Sequence, residues 1–288
     1  MSATSTAAVP ARRRRRVGTR GMRSVPARIL LGLVVPVVFV AFWHVGRQLE
    51  LELAFGIRMG FLPYPADVAV TLWDFAFGGP RDDAFSGTLW EHLGASVVRV
   101  ISGFGLASMI GVPLGVLMGR FYTVDTLFDP FVNLLRPIPA TAWVPLVALI
   151  IGIGDQATVF LITLSAFFPI VLGAASGTRQ VPERLVEAGR MLGTTRFDVL
   201  WRIMVPAAAP AIVNGLRVGL GLAWVVLVLG ETTGVATGLG ATITLARDIV
   251  RTDLIVVGMI CIGLAGFGSD RLLTLVLRLL GGRRPVFR

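Results

Sequence analysis

Runs of about twenty nearly uncharged residues recur along this chain, near 95–118, 127–151, 156–176, 210–230 and 254–280, with an earlier one at 29–46. Coiled as a helix, a run of roughly 20 residues matches the hydrocarbon thickness of a bilayer. In lipid every backbone polar group must be bonded within the segment, so helices are the expected spanning form. Composition agrees. Of 288 residues 55% are hydrophobic and 15% charged, and the mean hydropathy of +0.78 is too high for a soluble domain. The expected fold is therefore an all-α polytopic membrane protein with about six transmembrane helices.

The basic residues narrow the chemistry. All 27 are arginine, and the chain has no lysine. A P-loop ATPase needs a phosphate-binding lysine and a pyridoxal-phosphate enzyme needs its Schiff-base lysine, so neither activity resides here. His44, His92 and the single Cys261 do not make a zinc ligand set, and one cysteine allows no internal disulfide. No cofactor is expected on this chain. The net charge of +10 is better explained by cytoplasmic loops than by nucleic acid as a partner.

Arginine placement also assigns the sides. Residues 1–28 form a polar arm containing Arg12 to Arg16, Arg20, Arg23 and Arg28, expected to be disordered and to face anionic lipid and cytosol. The run 29–46 reads as the first membrane helix rather than a signal peptide, because it ends in FWH and not in a small-residue cleavage site. The connection from Arg47 to Glu91 is acidic, with a short helix around Asp67 to Phe77 that places Trp73 near the headgroups. With six helices, residues 177–209 and the tail 281–288 share the N-terminal side. Those segments hold Arg179, Arg184, Arg190, Arg196, Arg202, Arg283, Arg284 and Arg288, so both termini are expected in the cytoplasm.

Several spans carry unusual residues. Gly103, Ala107, Gly111, Gly115 and Gly119 recur every fourth position, a groove for close helix packing inside the subunit or between subunits; Gly215, Gly219 and Ala223 repeat it. Pro137, Pro139 and Pro145 bend or open the third span, either for packing or to line a translocation path. Arg136, Arg217 and Asp270 lie in or near apolar runs, where such a side chain at a helix centre costs about 2.5–3.5 kcal/mol. Snorkelling is the expectation for Arg136 and Arg217, with attraction of an anion in the path as the alternative, and Asp270 is expected either to pair locally with Arg271 or to sit at the interface. Glu231 closes the fifth span before a glycine-rich loop that it would order, or gate.

One polar stretch stands apart, EAGRMLGTTRFDVLWRIMVP from Glu187 to Pro206. Val181, Leu185, Ala188 and Leu192 share one helical face and charged residues fill the others. Gly193 suits a left-handed helix end, and Thr195 with Asp198 forms a capping pair for a second helix, expected to stop at Pro206. The expectation over 181–206 is a helix–turn–helix loop on the cytosolic side.

Glu187, Ala188, Gly193, Ile203 and Pro206 in that loop resemble the EAA motif of the permease subunits of ABC importers. Gly189 stands where that motif usually has alanine, and Val205 where leucine commonly precedes the proline. LPYPADV from Leu62, HLGASVVRVISGF from His92, GVPLGVLMGR from Gly111, RPIPATAWVPL from Arg136 and GLGATITLARDIVRTDL from Gly238 resemble the nitrate, sulfonate and taurine branch. The resemblance covers roughly 29–280, the expected permease domain. It implies a permease homodimer in a bacterial plasma membrane. Two cytosolic ATPase subunits, carrying ATP and magnesium, would dock on these loops, and an external binding protein would deliver a small anion such as a sulfonate. The implied ATPase-coupling residues are Glu187, Ala188, Gly189, Arg190, Gly193, Thr194 and Pro206. The candidates for the translocation path are Arg136, Pro139, Arg217 and Glu231. A secondary transporter and a membrane-embedded enzyme are the competing classes, disfavoured because neither a clear internal repeat nor an acid–histidine cluster is visible.

Overall fold

The computed structural model describes residues 25–281, which fall into two units, 1–60 and 61–288. The basic arm lies outside the described residues except for 25–28, and these form the first turn of a helix, α1 (Val25–Gln48). Arg283, Arg284 and Arg288 of the tail also lie outside them. In the first unit α1 is followed by a small antiparallel ladder, β1 (Glu52–Leu53) and β2 (Ile57–Arg58), in which Glu52 faces Arg58 and pairs with it at 3.3 Å.

The second unit holds the remaining helices. A short α2 (Pro65–Phe77) is started by its proline at the first helical position and ended at Gly78. Then follow α3 (Leu89–Arg120), α4 (Tyr122–Leu135), α5 (Ala140–Ile150), α6 (Asp155–Arg179), α7 (Glu183–Met191) and a single turn, α8 (Arg196–Asp198). A π-helical stretch at Val199–Met204 leads into α9 (Val205–Glu231), and α10 (Leu239–Asp248) and α11 (Thr252–Gly281) close the unit. Among the described residues, α3, α6, α11 and the continuous run Arg196–Glu231 are each long and apolar enough to cross a membrane. Counting the α4–α5 pair as one span makes five.

Helix α6 is the central element, packed between α3 and α9. Glycines make this possible. A Cβ on Gly103 would stand 2.6 Å from Ile162, one on Gly115 would stand 2.4 Å from the Val171 carbonyl, and one on Gly119 would stand 2.6 Å from the Ala175 carbonyl. On the other side of α6 a Cβ on Gly173 would reach within 2.7 Å of the Gly215 Cα. The four-residue glycine repeat therefore serves packing inside the subunit, and backbone approach stands in for interdigitated side chains. Ile162, Ala166, Ile170 and Ala174 of α6 are fully buried between the two neighbours.

Two expectations need correction, those for Pro145 and Pro206. The third span is bent, as expected of its prolines: α4 and α5 meet at 96°. Arg136 still holds helical angles (φ −52°, ψ −42°), and the chain turns over the next residues, where Pro137 and Pro139 lack donors and Pro139 is extended (φ −65°, ψ 145°), whereas Pro145 sits inside α5 without breaking it. Pro206 does not stop its helix either. The Val205 N–H bonds five residues back to the Leu200 carbonyl, a wide turn that lets proline follow without ending the helix. The glycine-rich stretch after Glu231 leads into a further short helix, α10, capped by Gly238 at φ 147°.

Candidate functional site

Two polar constructions lie at opposite ends of the helical unit. The first is the hairpin from α7 through Gly193 to the π turn. Val186 and Gly189 are buried against Val199, Ile203 and Met204, and a Cβ on Gly189 would meet the flexible tip of Ile203 at 2.3 Å and the Thr194 hydroxyl at 3.3 Å. Val186 and Gly189 thus mark the face of α7 that turns inward. This leaves Leu185, Met191 and Leu192 outward, with Leu192 at 84% exposure, although periodicity had grouped Leu185, Ala188 and Leu192 as the packing face. Glu187, Ala188 and Arg190 are exposed beside them.

Gly193 ends α7 at φ 78°, a left-handed geometry that favours glycine, and its N–H bonds to the Arg190 carbonyl. The Thr194 hydroxyl donates to the Gly189 carbonyl at 2.7 Å. Thr195 caps the next turn, its Oγ1 accepting from the Asp198 N–H at 3.2 Å, and Asp198 pairs with Arg202 at 2.9 Å. Six of the seven residues named for this loop thus belong to one small hairpin. Pro206 lies beyond it, in the first turn of α9.

The second construction surrounds Glu231, 1% exposed, at the far end of α9. Its carboxylate accepts from Arg99 at 2.6 Å, Ser96 at 2.7 Å and the Gly240 N–H at 2.7 Å. Arg99, 5% exposed, also reaches Asp155 at 2.7 Å and the Thr237 carbonyl at 2.7 Å. The Ser96 hydroxyl accepts from the Leu239 N–H, and His92 Nδ1 accepts from the Gly238 N–H. Glu231 is therefore a buried tie between α3, α6, α9 and the start of α10, fully satisfied by donors as a buried charge requires. Sequence reasoning singled out Glu231 but missed Arg99, which passes for an interfacial residue in the first turns of its span.

The other expected path residues are dispersed. Arg136 and Pro139 line a cleft of about 820 Å³ formed where α4 turns into α5, against Phe168 of α6 and Val218, Leu222 and Val225 of α9. Arg217 faces elsewhere. It forms a two-pronged bond with Asp270 of α11 at 2.7 and 2.8 Å, a partner distant in sequence that neither expectation named. Arg271 instead lies over the Phe267 ring, 4.9 Å from its centre. Among the described residues no cluster of His, Cys, Asp or Glu is arranged to hold a metal ion.

The pattern of these helices has relatives. The sequence profile of the family described as "Binding-protein-dependent transport system inner membrane component" matches residues 111–283. The chain belongs to that permease family. The permease is 34% identical to the taurine transport system permease protein of Escherichia coli, over 83% of this chain and 84% of that one. It is 33% identical to the nitrate import permease protein of the cyanobacterium Synechocystis, over 62% and 64%. Its fold is similar to that in inward-facing structures of the MetNI methionine ABC transporter, with a TM-score of 0.54 and 24% identity over 66% of this chain and 98% of that one. The permease is accordingly an inner membrane transport subunit of an ABC importer, and the family is not one of enzymes.

Proposed function

We propose that this permease carries a small sulfonate anion, taurine or an alkanesulfonate, inward across a bacterial plasma membrane at the expense of ATP hydrolysed on a separate chain. Similarity along four fifths of its length to a permease named for taurine, itself a sulfonate, is the observation that carries this reading. Nitrate is the second reading, supported by the shorter match to a nitrate import permease. A heterocyclic vitamin precursor is a more distant alternative, and a secondary transporter is disfavoured by membership of the family.

The outward face of α7 supports docking of a cytosolic ATPase. Leu185, Met191 and Leu192 form an uncovered apolar rim, with Glu187 and Arg190 beside them to orient a partner. Two ATPase copies on two such faces, a permease homodimer and an external binding protein complete the proposed machine, with ATP and magnesium on the ATPases. The arginine distribution supports placing the Gly193 end and both termini in the cytoplasm. In the proposed path, the cleft holding Arg136 and Pro139 faces the partner permease.

Reconstitution tests this. Proteoliposomes containing the permease, its ATPase and its binding protein should accumulate labelled taurine only with ATP inside, and ethanesulfonate should compete better than nitrate. Uptake without ATP would reject the importer mechanism, and stronger competition by nitrate would move the substrate to the second reading.

A further inference from the structure

Three arginines from three elements converge beside the α7 hairpin. Arg120 ends α3, Arg190 lies in the last turn of α7 and Arg196 opens α8; together they line a cleft of about 580 Å³ with Tyr122, Thr123 and Thr194. The nearby acids are already engaged, Asp125 and Asp129 with Arg179, and Asp198 with Arg202. Among the described residues, none of the three cleft arginines has an acidic partner. Three like charges directed into one concavity repel one another unless an anion joins them.

The Tyr122 and Thr123 hydroxyls and the guanidiniums there are donors, and guanidinium groups match phosphate oxygens two at a time. The first turn of α4 borders the cleft without a side-chain cap on its free N–H groups, adding to the same positive potential. The cleft is also roomier than one inorganic phosphate requires. Its rim holds the exposed rings of Phe121 and Tyr122, residues of the kind that settle at headgroup level.

We propose that this cleft is a binding site for a phosphate-bearing anion, carried by an anionic phospholipid or free in solution, whose occupancy ties the α3–α4 corner to the α7 hairpin. Its location at a membrane surface rests on the reading that the Gly193 end faces the cytoplasm. The binding itself does not require that the hairpin dock an ATPase.

The test uses the full-length permease in a neutral detergent, with thermal unfolding followed during titration by three probes: dioctanoyl phosphatidylglycerol, dioctanoyl phosphatidylcholine and inorganic phosphate. Phosphatidylglycerol should raise Tm saturably and phosphatidylcholine should not. Apparent affinity should fall about fivefold for each of Arg120→Gln, Arg190→Gln and Arg196→Gln. Arg202→Gln, whose side chain is outside the cleft, should bind as the parent does. A saturable shift by inorganic phosphate of equal size, lost in the same variants, supports the site with a soluble source. Equal shifts in the parent and all three variants, or equal shifts by both lipids, overturn the proposal. So does displacement of the bound lipid by purified ATPase together with crosslinking of Arg196→Cys to that subunit, since the cleft would then belong to the partner.

Discussion

Arg99 and Glu231 meet at 2.6 Å in the interior of the helical unit, 132 residues apart in sequence, and neither touches solvent appreciably. Removing one partner leaves an uncompensated buried charge, which typically costs about 3–5 kcal/mol. Glu231→Ala should therefore lower thermal stability sharply, and Arg99→Met with Glu231→Leu should recover much of the loss. A double variant no more stable than the worse single one would show that the tie to Gly240 and Thr237 matters more than the charges.

Glycine packing of α3 on α6 gives a contrast within one helix. Gly115→Leu drives a side chain into the Val171 carbonyl, and misfit of this kind costs about 1–3 kcal/mol or more, so folded yield on size exclusion should collapse. Gly105→Ala, with nothing within 4 Å of the new methyl, should be neutral or slightly stabilising.

For the α7 hairpin, Glu187→Lys should leave the protein inserted and folded while abolishing binding-protein-stimulated ATP hydrolysis by the reconstituted complex. Normal stimulation and uptake would remove this residue from the docking surface. Gly189→Ala should be tolerated, because the main obstacle is the movable tip of Ile203 and the Thr194 hydroxyl has to shift only a few tenths of an ångström.

Pairing of Arg217 with Asp270 predicts mutual dependence. Either Arg217→Gln or Asp270→Asn alone should reduce the amount of properly inserted protein more than the two together, read by fluorescence-detected size exclusion in matched expression cultures.

Asp83, in the loop before α3, bonds Arg251 and accepts from the Phe85 N–H. Burial pushes its carboxyl up, but the Phe85 N–H and the Arg251 guanidinium outweigh that and hold it below the usual carboxylate range. A folded-state value below the unfolded one gives stabilisation that is present above about pH 3.9 and is lost as pH falls through the folded value. Tm of the parent should drop between pH 5 and 3 more steeply than that of Asp83→Asn, which should start lower at neutral pH. Parallel pH profiles would show that Asp83 contributes no pH-linked stability.

The sequence exposed most of this architecture because membrane helices announce themselves by length and apolarity. The α7 hairpin was equally visible, since its polarity breaks the pattern and Gly193 and Thr195 mark its turn. Orientation within it was not. Periodicity counts apolar side chains, while the buried face of α7 carries just one of them, Val186, beside Gly189, which adds none to count. Pro137 and Pro139 flagged a break, yet a proline fixes only its own φ and not the 96° that packing on α6 and α9 imposes. The buried tie at Glu231 and the Arg217–Asp270 pair join residues far apart in the chain, and no local pattern reports such partners.

Helical structure is unbroken from Arg196 to Glu231, 36 residues and about 54 Å at 1.5 Å per residue. The same rod thus begins beside the Gly193 turn and ends at the Glu231 tie, with no break in its backbone bonding between them. The π turn at Val199–Met204, with its looser bonding, is the most deformable section of that rod.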